Sequence, residues 1–233
     1  MNRPRTTVTL TADLVIVTIR AGQLCVLTVE RGNEPFAGRT ALPGGFLRGR
    51  ESLDETAARE LGEETGLDAE ALHLQQVGVY SAPERDPRTP RVITCAYLAI
   101  APHLPSPRAG SDARAASWLP VTEARRLKLA FDHNQILDDA VELARDQLQF
   151  RTIAPAFCRR EFTIAELREV YEVVWGVNLD KPNFHRKVTD APGFLAPTGR
   201  KRPTGNGRPA ALYRAGHATA LVPPMMRPTG SAF

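Results

Sequence analysis

The 233-residue chain can hold one large domain or two smaller ones, each with a buried core, and its 42% hydrophobic and 24% charged residues are ordinary for a soluble protein. Its one apolar run near the start, Leu14–Ile19 between Asp13 and Arg20, is too short for a secretory core or a membrane span. Cys25, Cys95 and Cys158 are too dispersed for a disulfide framework or a zinc site, so a cytoplasmic location and no membrane partner are expected. The net charge of +4 is unevenly spread: 17 Lys and Arg against 20 Asp and Glu in residues 1–150, then 13 against 6 in residues 151–233. An acidic module followed by a basic one is the expected organisation, and the basic part offers either a polyanion-binding face or a merely solvated one.

Two β-branched runs, Thr7–Ile19 and Gln23–Glu30, flank Ala21-Gly22 and predict a hairpin. Pro35–Phe46, rich in Gly and Pro, reads as loop or irregular strand. Ser52 and Glu55 form a capping box, Leu53, Thr56, Ala57 and Leu61 recur at helical spacing, and Gly66 supplies a stop. Strands follow at Leu74–Ser81, Val92–Ile100 and Ala116–Leu119, with a polar loop up to Asp112 before the last. A second capping box, Asp132 with Gln135, opens a helix to Phe150 with Ile136, Ala140, Leu143, Ala144 and Leu148 on its apolar face. Beyond it, Thr163 and Glu166 cap a helix burying Leu167, Val170, Tyr171 and Val174, and Gly176 ends it. Asp180-Lys181-Pro182 then opens another helix through Val188, completing a helix-turn-helix pattern. Phe194–Pro197 and Pro209–Tyr213 predict a hairpin with a long basic tip around Asn206-Gly207. From Gly216 the prolines Pro223, Pro224 and Pro228 predict a weakly ordered tail. The expected domains are therefore 1–150, 151–215 and a tail, 216–233.

The first helix carries the chemistry. Glu60 and Glu64 stand at i and i+4 on one face with Glu63 beside them. Such crowding is repulsive unless a cation neutralises it, and hard Mg2+ or Mn2+ prefers these oxygens together with substrate phosphates. Arg59 can offset part of the charge and hold Glu51. A merely solvated acidic helix would need neither the preceding Gly45 nor Arg59 beside its glutamates.

Gly45 to Leu67, GFLRGRESLDETAARELGEETGL, resembles the Nudix signature at all nine of its fixed positions: Gly45, Glu51, Arg59, Glu60, Leu61, Glu63, Glu64, Gly66 and Leu67. The resemblance covers residues 7–150 and implies an α+β fold whose N-terminal part is a Nudix α/β/α sandwich. It further implies that Glu60 and Glu64 ligate the metal, assisted by Glu63 and the Gly44 carbonyl, for hydrolysis of a phosphoanhydride. Pro83, sixteen residues past Leu67 in SAPERDPR, resembles the ADP-ribose pyrophosphatase branch, and Arg85 and Arg88 are candidates for phosphate or ribose contact, with Gly45 in the ligand site. Asp112 and Glu123 are both candidate general bases.

Residues Phe162 to Val188, taken with PFAGRTALPGGF, RDPR and Leu129–His133, resemble the Nudix-related regulators of NAD metabolism. That likeness implies a C-terminal winged helix-turn-helix domain, a homodimer, operator DNA and ADP-ribose as effector. Read from the residues, Asn183, Arg186 and Lys187 face outward on the second helix while Phe184 and Val188 face inward, and Arg200, Lys201, Arg202 and Arg208 lie on the hairpin tip. Lys181 to Arg214 holds 8 Lys and Arg against 1 acid, a density suited to a phosphate backbone. Three readings stay open. One is an ADP-ribose-responsive repressor of NAD-related genes that keeps its pyrophosphatase chemistry. Another is a dedicated ADP-ribose pyrophosphatase whose winged domain only dimerises, and the third is a repressor answering a different sugar nucleotide. Asp132 is expected as a helix cap, with a ligand contact by His133 left open.

Overall fold

A computed structural model describes residues 6–66, 73–102, 113–204 and 207–228. The chain divides into two compact units, one formed mainly by residues up to Val141 and the other by Thr18–Leu24 together with residues from Glu142 onward. The fold is mixed α+β.

β1 (Val8–Arg20) and β2 (Gln23–Arg31) form the expected hairpin, turning through Ala21 and Gly22, both at positive φ. Pro35–Phe46 is more regular than expected: it contains β3 (Thr40–Ala41) and β4 (Gly44–Phe46), which pair with β2 and β1. After α1 (Leu53–Thr65) come β5 (His73–Tyr80), β6 (Arg91–Ile100), β7 (Ala113–Pro120), the one-turn α2 (Val121–Ala124) and α3 (His133–Phe150). The sheet runs β3-β2-β1-β6-β5, with β4 on β1 and β7 on β2. β1 and β6 are parallel from Val8↔Arg91 to Val17↔Ile100. That central, two-sided burial explains why Leu14–Val17 read as a continuous apolar run rather than an alternating one. β7 begins three residues before the predicted start because β2 offers it partners out to Arg31. α2 has no side-chain cap and left no signal in the sequence.

α1 is held as its sequence specifies. The Ser52 hydroxyl accepts from Glu55 N, the Glu55 carboxylate accepts from Ser52 N at 2.7 Å, and Gly66 closes the helix at φ 71°. The helix packs on β4, with Thr56, Ala57, Glu60 and Leu61 buried and Glu60 lying against Gly45.

The second unit contains a 3-10 turn at Ala154–Phe157, α4 (Ile164–Trp175), α5 (Lys181–Asp190), β8 (Leu195–Thr204) and β9 (Gly207–Ala215). Thr163 and Glu166 form a reciprocal capping box on α4, and Asp180 caps α5 by accepting from Asn183 N. Tyr171, Trp175 and Phe184 pack edge-to-face at the centre of the core, with ring centroids 4.9 and 5.3 Å apart. Two expectations are corrected. The triplet Arg200, Lys201 and Arg202 stands within β8, where Lys201 pairs with Ala211 and Arg202 with Ala210, not in a hairpin tip. Gly199 at φ 73° and a bulge between Pro197 and Lys201 let the strand continue through residues that read as loop. The tail is not weakly ordered over 216–228. Leu221 and Met225 are buried, and their N–H groups donate to the carbonyls of Phe150 and Gln149 at 2.9 and 2.8 Å. Ala218 N likewise donates to Gly193 O, so its many prolines mark an extended strap. Among the described residues no helix is long and apolar enough to cross a membrane.

Candidate functional site

The first unit carries a cleft of about 520 Å3 whose lining includes Gly44, Gly45, Glu60, Glu63 and Glu64 together with Arg31, Arg88 and Phe131. The carboxylate cluster is built by α1 against β4. A Cβ on Gly45 would stand 1.8 Å from Glu60 Oε1, so only glycine lets that carboxylate lie against the strand. Gly44 has an equivalent constraint toward Ala12 O and Asp13. Arg59 spans the cluster, donating to Glu51 through Nε and Nη2 at 2.8 and 3.1 Å, to Glu60 Oε1 at 2.5 Å and to Phe46 O at 3.2 Å. The Arg59 hydrogen bonds hold the Glu51 carboxyl down at about 2. Arg48 donates to Glu63 at 3.2 Å.

Glu64 is different. It is buried, its Oε2 has no hydrogen-bond partner, and burial followed by repulsion from Glu60 and Glu63 pushes its carboxyl up to about 7. Among the described residues no three acidic, histidine or cysteine side chains already converge on one point at ligand distance. Glu60 and Glu63 turn instead to Arg59 and Arg48. An orphaned buried carboxylate oxygen, two neighbouring carboxylates and a glycine cradle are nonetheless the hard-oxygen set that a divalent cation takes.

The wall of the cleft also holds a network that sequence reasoning did not assemble. Arg85 is buried, and its guanidinium donates to both oxygens of Asp132 at 2.9 and 2.8 Å and to Asp13 at 3.3 Å. Asp132 therefore does not act as the expected side-chain cap: its carboxylate is taken by Arg85, while its carbonyl accepts from Gln135 N at 3.0 Å. His133 Nδ1 accepts from Leu42 N at 2.9 Å, which leaves the ring proton on Nε2, 3.6 Å from Asp13. Burial alone would raise Asp13, but contact with His133 and the Arg85 charge outweigh it and hold the carboxyl below its usual range.

Arg88 lies nearer solvent. Asp86, almost fully buried, grips it through several bonds of 2.5–3.0 Å, and its guanidinium stacks over the rings of Phe46 at 4.9 Å and Phe131 at 5.2 Å. Phe131, at φ 53°, also meets Phe36 edge-on and carries Arg31 over its face at 4.6 Å. Backbone strain at a bulky residue lining a cleft is where function is usually found. Of the predicted ligand residues, Gly45, Arg85 and Arg88 line the cleft. Pro83 is exposed in the adjoining turn and does not. Glu123 is exposed on α2, away from the lining, and Asp112 lies outside the described residues, as do Leu67 and Asn206. Asp13, Asp86, His133 and Phe131 also line the cleft; Asp86 falls within RDPR and Phe131 and His133 within Leu129–His133, whereas Asp13 carried no local motif.

In the second unit, α5 exposes Asn183, Arg186 and Lys187 on the face opposite its buried Phe184 and Val188. Arg186 donates to Asn183 at 3.0 Å. Arg200, Lys201 and Arg208 are exposed on the two-stranded β8–β9 hairpin, whereas Arg202 is half-buried and paired with Glu166 at 2.7 Å. A helix with a polar outer face beside a basic hairpin is the geometry of a winged helix.

Cleft and hairpin together define a Nudix domain followed by a winged helix-turn-helix. Residues 9–140 match the NUDIX domain and residues 157–215 the NrtR DNA-binding winged helix domain. The chain belongs to the Nudix family. It is 32% identical over 207 residues, 88% of this chain and 81% of the relative, to the ADPR responsive transcriptional repressor NtrR of Acinetobacter baylyi. Its structure is similar to that of Shewanella oneidensis NrtR complexed with a 27mer DNA, with a TM-score of 0.77 and 32% identity, covering 88% of this chain and 93% of that one. The NUDIX domain of Shewanella oneidensis NrtR complexed with ADP ribose is similar over 59% of this chain and 89% of its own length, with a TM-score of 0.54 and 32% identity.

Proposed function

We propose that this chain is an ADP-ribose-responsive, DNA-binding transcriptional regulator of NAD-related metabolism that retains metal-dependent hydrolysis of ADP-ribose. The observation that carries the reading is the union, in one chain, of a complete Nudix box around a polar cleft with a winged helix whose α5 presents Asn183, Arg186 and Lys187. The named relatives with the same two-domain architecture, one called ADPR responsive and one complexed with DNA, support it.

In this reading Glu60, Glu63 and Glu64, with the Gly44 carbonyl, hold Mg2+ or Mn2+, which when bound supplies Lewis acidity toward the pyrophosphate. Arg59 holds the Glu51 and Glu60 carboxylates in place. Arg88 offers its charge and its stacked guanidinium to the ligand, and Arg85 fixes Asp132 and Asp13. Addition of water across the phosphoanhydride would yield AMP and ribose 5-phosphate. On the DNA side, α5 enters a major groove and Arg200, Lys201, Arg202 and Arg208 follow the backbone, with two copies of the chain on a two-fold operator.

An active box would consume its own signal, so turnover slow against ligand exchange is expected. Operator binding is tested by gel shift with the DNA upstream of the chain's own coding sequence, and coupling by ADP-ribose titration of a Glu64→Gln variant with and without that DNA. A coupling of about 1–3 kcal/mol predicts a roughly 5- to 150-fold mutual weakening. ADP-ribose affinity that ignores bound DNA removes the sensor. Sustained metal-dependent AMP release with no DNA binding instead selects a dedicated pyrophosphatase, the reading that the intact box and the unpartnered Glu64 favour by themselves.

A further inference from the structure

In the second unit one carboxylate organises two arginines from different strands. Glu161 lies just before α4, with a side chain only 15% exposed. Both Nε and Nη2 of Arg214, on β9, donate to its Oε1 at 2.9 and 2.6 Å, and Arg200, on β8, pairs with its Oε2. The register explains how the two arginines meet. Ala196 is opposite Arg214, but the bulge between Pro197 and Lys201 inserts extra residues on β8. Gly199 turns the chain at φ 73°, and the Thr198 hydroxyl donates to Leu212 O while accepting from Arg200 N. The bulge thereby aims Arg200 at the carboxylate that already holds Arg214. Next to this pair, Arg202 donates to Glu161 O at 3.0 Å and to Glu166 at 2.7 Å.

Two guanidiniums share one acid, so the cluster keeps a net positive charge. Arg200 and Arg214 remain 63% and 47% exposed, and each guanidinium has five N–H donors, more than Glu161 accepts. Arg200 and Arg214 can thus turn their remaining donors to an oxyanion without releasing Glu161. We propose that Arg200 and Arg214 form a binding site for one backbone phosphate of DNA, and that Glu161 is the positioning residue that holds both guanidiniums toward it. The Glu161 carboxyl, held below its ordinary range by hydrogen bonds from Arg200 and then Arg214, keeps its charge and its grip at any physiological pH. Arg214 enters the DNA-contacting set through this geometry alone. The inference rests on the DNA-binding reading above.

The opposite role for Glu161 is that of a competitor that masks the arginines from phosphate, and the sign of one measurement separates the two. Full-length protein is titrated on a random-sequence duplex at several salt concentrations, because a phosphate contact is blind to sequence. Each contact contributes about −0.9 to the slope of log K against log salt, or roughly 3.5-fold in affinity between 50 and 200 mM salt. Arg214→Ala should flatten the slope by about that amount. Glu161→Gln should also flatten it and weaken binding several-fold, although it makes the protein more positive. Arg214→Lys, which keeps the charge but not the two-pronged grip, should hold the slope and lose affinity. Melting curves confirm that each variant is folded, and if Glu161→Gln is not, the two Arg214 variants decide. Tighter binding with a steeper slope in Glu161→Gln overturns the proposal, as do variants indistinguishable from wild type. Wild type that binds no duplex in a salt-dependent way removes the DNA-binding reading itself, a distinct outcome.

Discussion

An alanine at position 45 would put a methyl group where the Glu60 carboxylate lies: the Cβ would stand 1.8 Å from Oε1, 2.4 Å from Cδ and 2.9 Å from Oε2. Ordinary contact between such atoms is about 3.5 Å, so the carboxylate must retreat by roughly 1.5 Å. The obstacle is the far end of a side chain, and the Glu60 stem can swing without moving β4 or α1. The loss to stability is then chiefly the Arg59–Glu60 contact at 2.5 Å, at most about 1.5–3 kcal/mol for a charge-assisted hydrogen bond. Metal ligation is far less forgiving, since ligand distances are held to within about 0.2 Å. Gly45→Ala should therefore still melt cooperatively, at most about 10 °C below wild type, while losing at least tenfold in Mn2+ affinity, about 1.4 kcal/mol, and at least as much in the rate of AMP release from ADP-ribose. Mn2+ titration followed by electron paramagnetic resonance, with a thermal melt as control, measures both. Unchanged Mn2+ affinity would refute the assignment of Glu60 as a ligand set by Gly45. Loss of the cooperative melt would show that the clash is relieved through the backbone and that the reasoning about side-chain retreat is wrong.

Glu64 predicts a pH dependence of stability. A carboxyl raised in the folded state from 4.5 to about 7 keeps a proton that the unfolded chain releases, so its contribution is fully present below about 4.5 and is lost as pH rises toward 7. With chelator present, the melting temperature of wild type should fall relative to Glu64→Gln across that window, and Mg2+ or Mn2+ should stabilise wild type more at pH 8 than at pH 5.5. Parallel curves for the two proteins would remove Glu64 as the strained group. Ending the chain after Ala215 exposes the sites of Leu221 and Met225, worth about 1.5–3 kcal/mol each before the entropy of ordering the strap is set against them. Differential scanning calorimetry should show a lower melting transition for the second unit, and an unchanged transition would mean that the strap is a passive extension.

Local signals carried most of the fold. Ser52 with Glu55, Thr163 with Glu166, and the glycines at 66 and 176 all do in the structure what their sequence context specifies, because capping is decided within four residues. The acidic cluster was legible for the same reason: Glu60, Glu63 and Glu64 share one helix. The Arg85 network was not, since Asp13, Arg85, Asp132 and His133 come from β1, a loop and the start of α3, and only the tertiary fold brings them together. Asp132 shows the limit most clearly. The box with Gln135 was a sound local pattern, but a buried guanidinium competes better for a carboxylate than a helix N–H does. On the wing, Arg200–Arg202 read as part of a long basic tip, whereas the cross-strand partners Ala210 and Ala211 keep β8 extended. The strap beyond Gly216 was misread because its anchors, Gln149, Phe150 and Gly193, are distant in sequence.

The parallel pairing of β1 with β6 has a consequence for synthesis. A chain emerging at about 5–20 residues per second exposes the β1–β2 hairpin for several seconds before Arg91–Ile100 arrives to cover its inner edge. During that interval the run Leu14–Ile19, β-branched and uncharged, is an open template for pairing with other nascent chains. The cleft is completed later still, because Phe131 and His133, which line it, are among the last residues of the first unit to be made. A fragment ending before residue 131 would keep every position of the Nudix box and still lack a finished cavity.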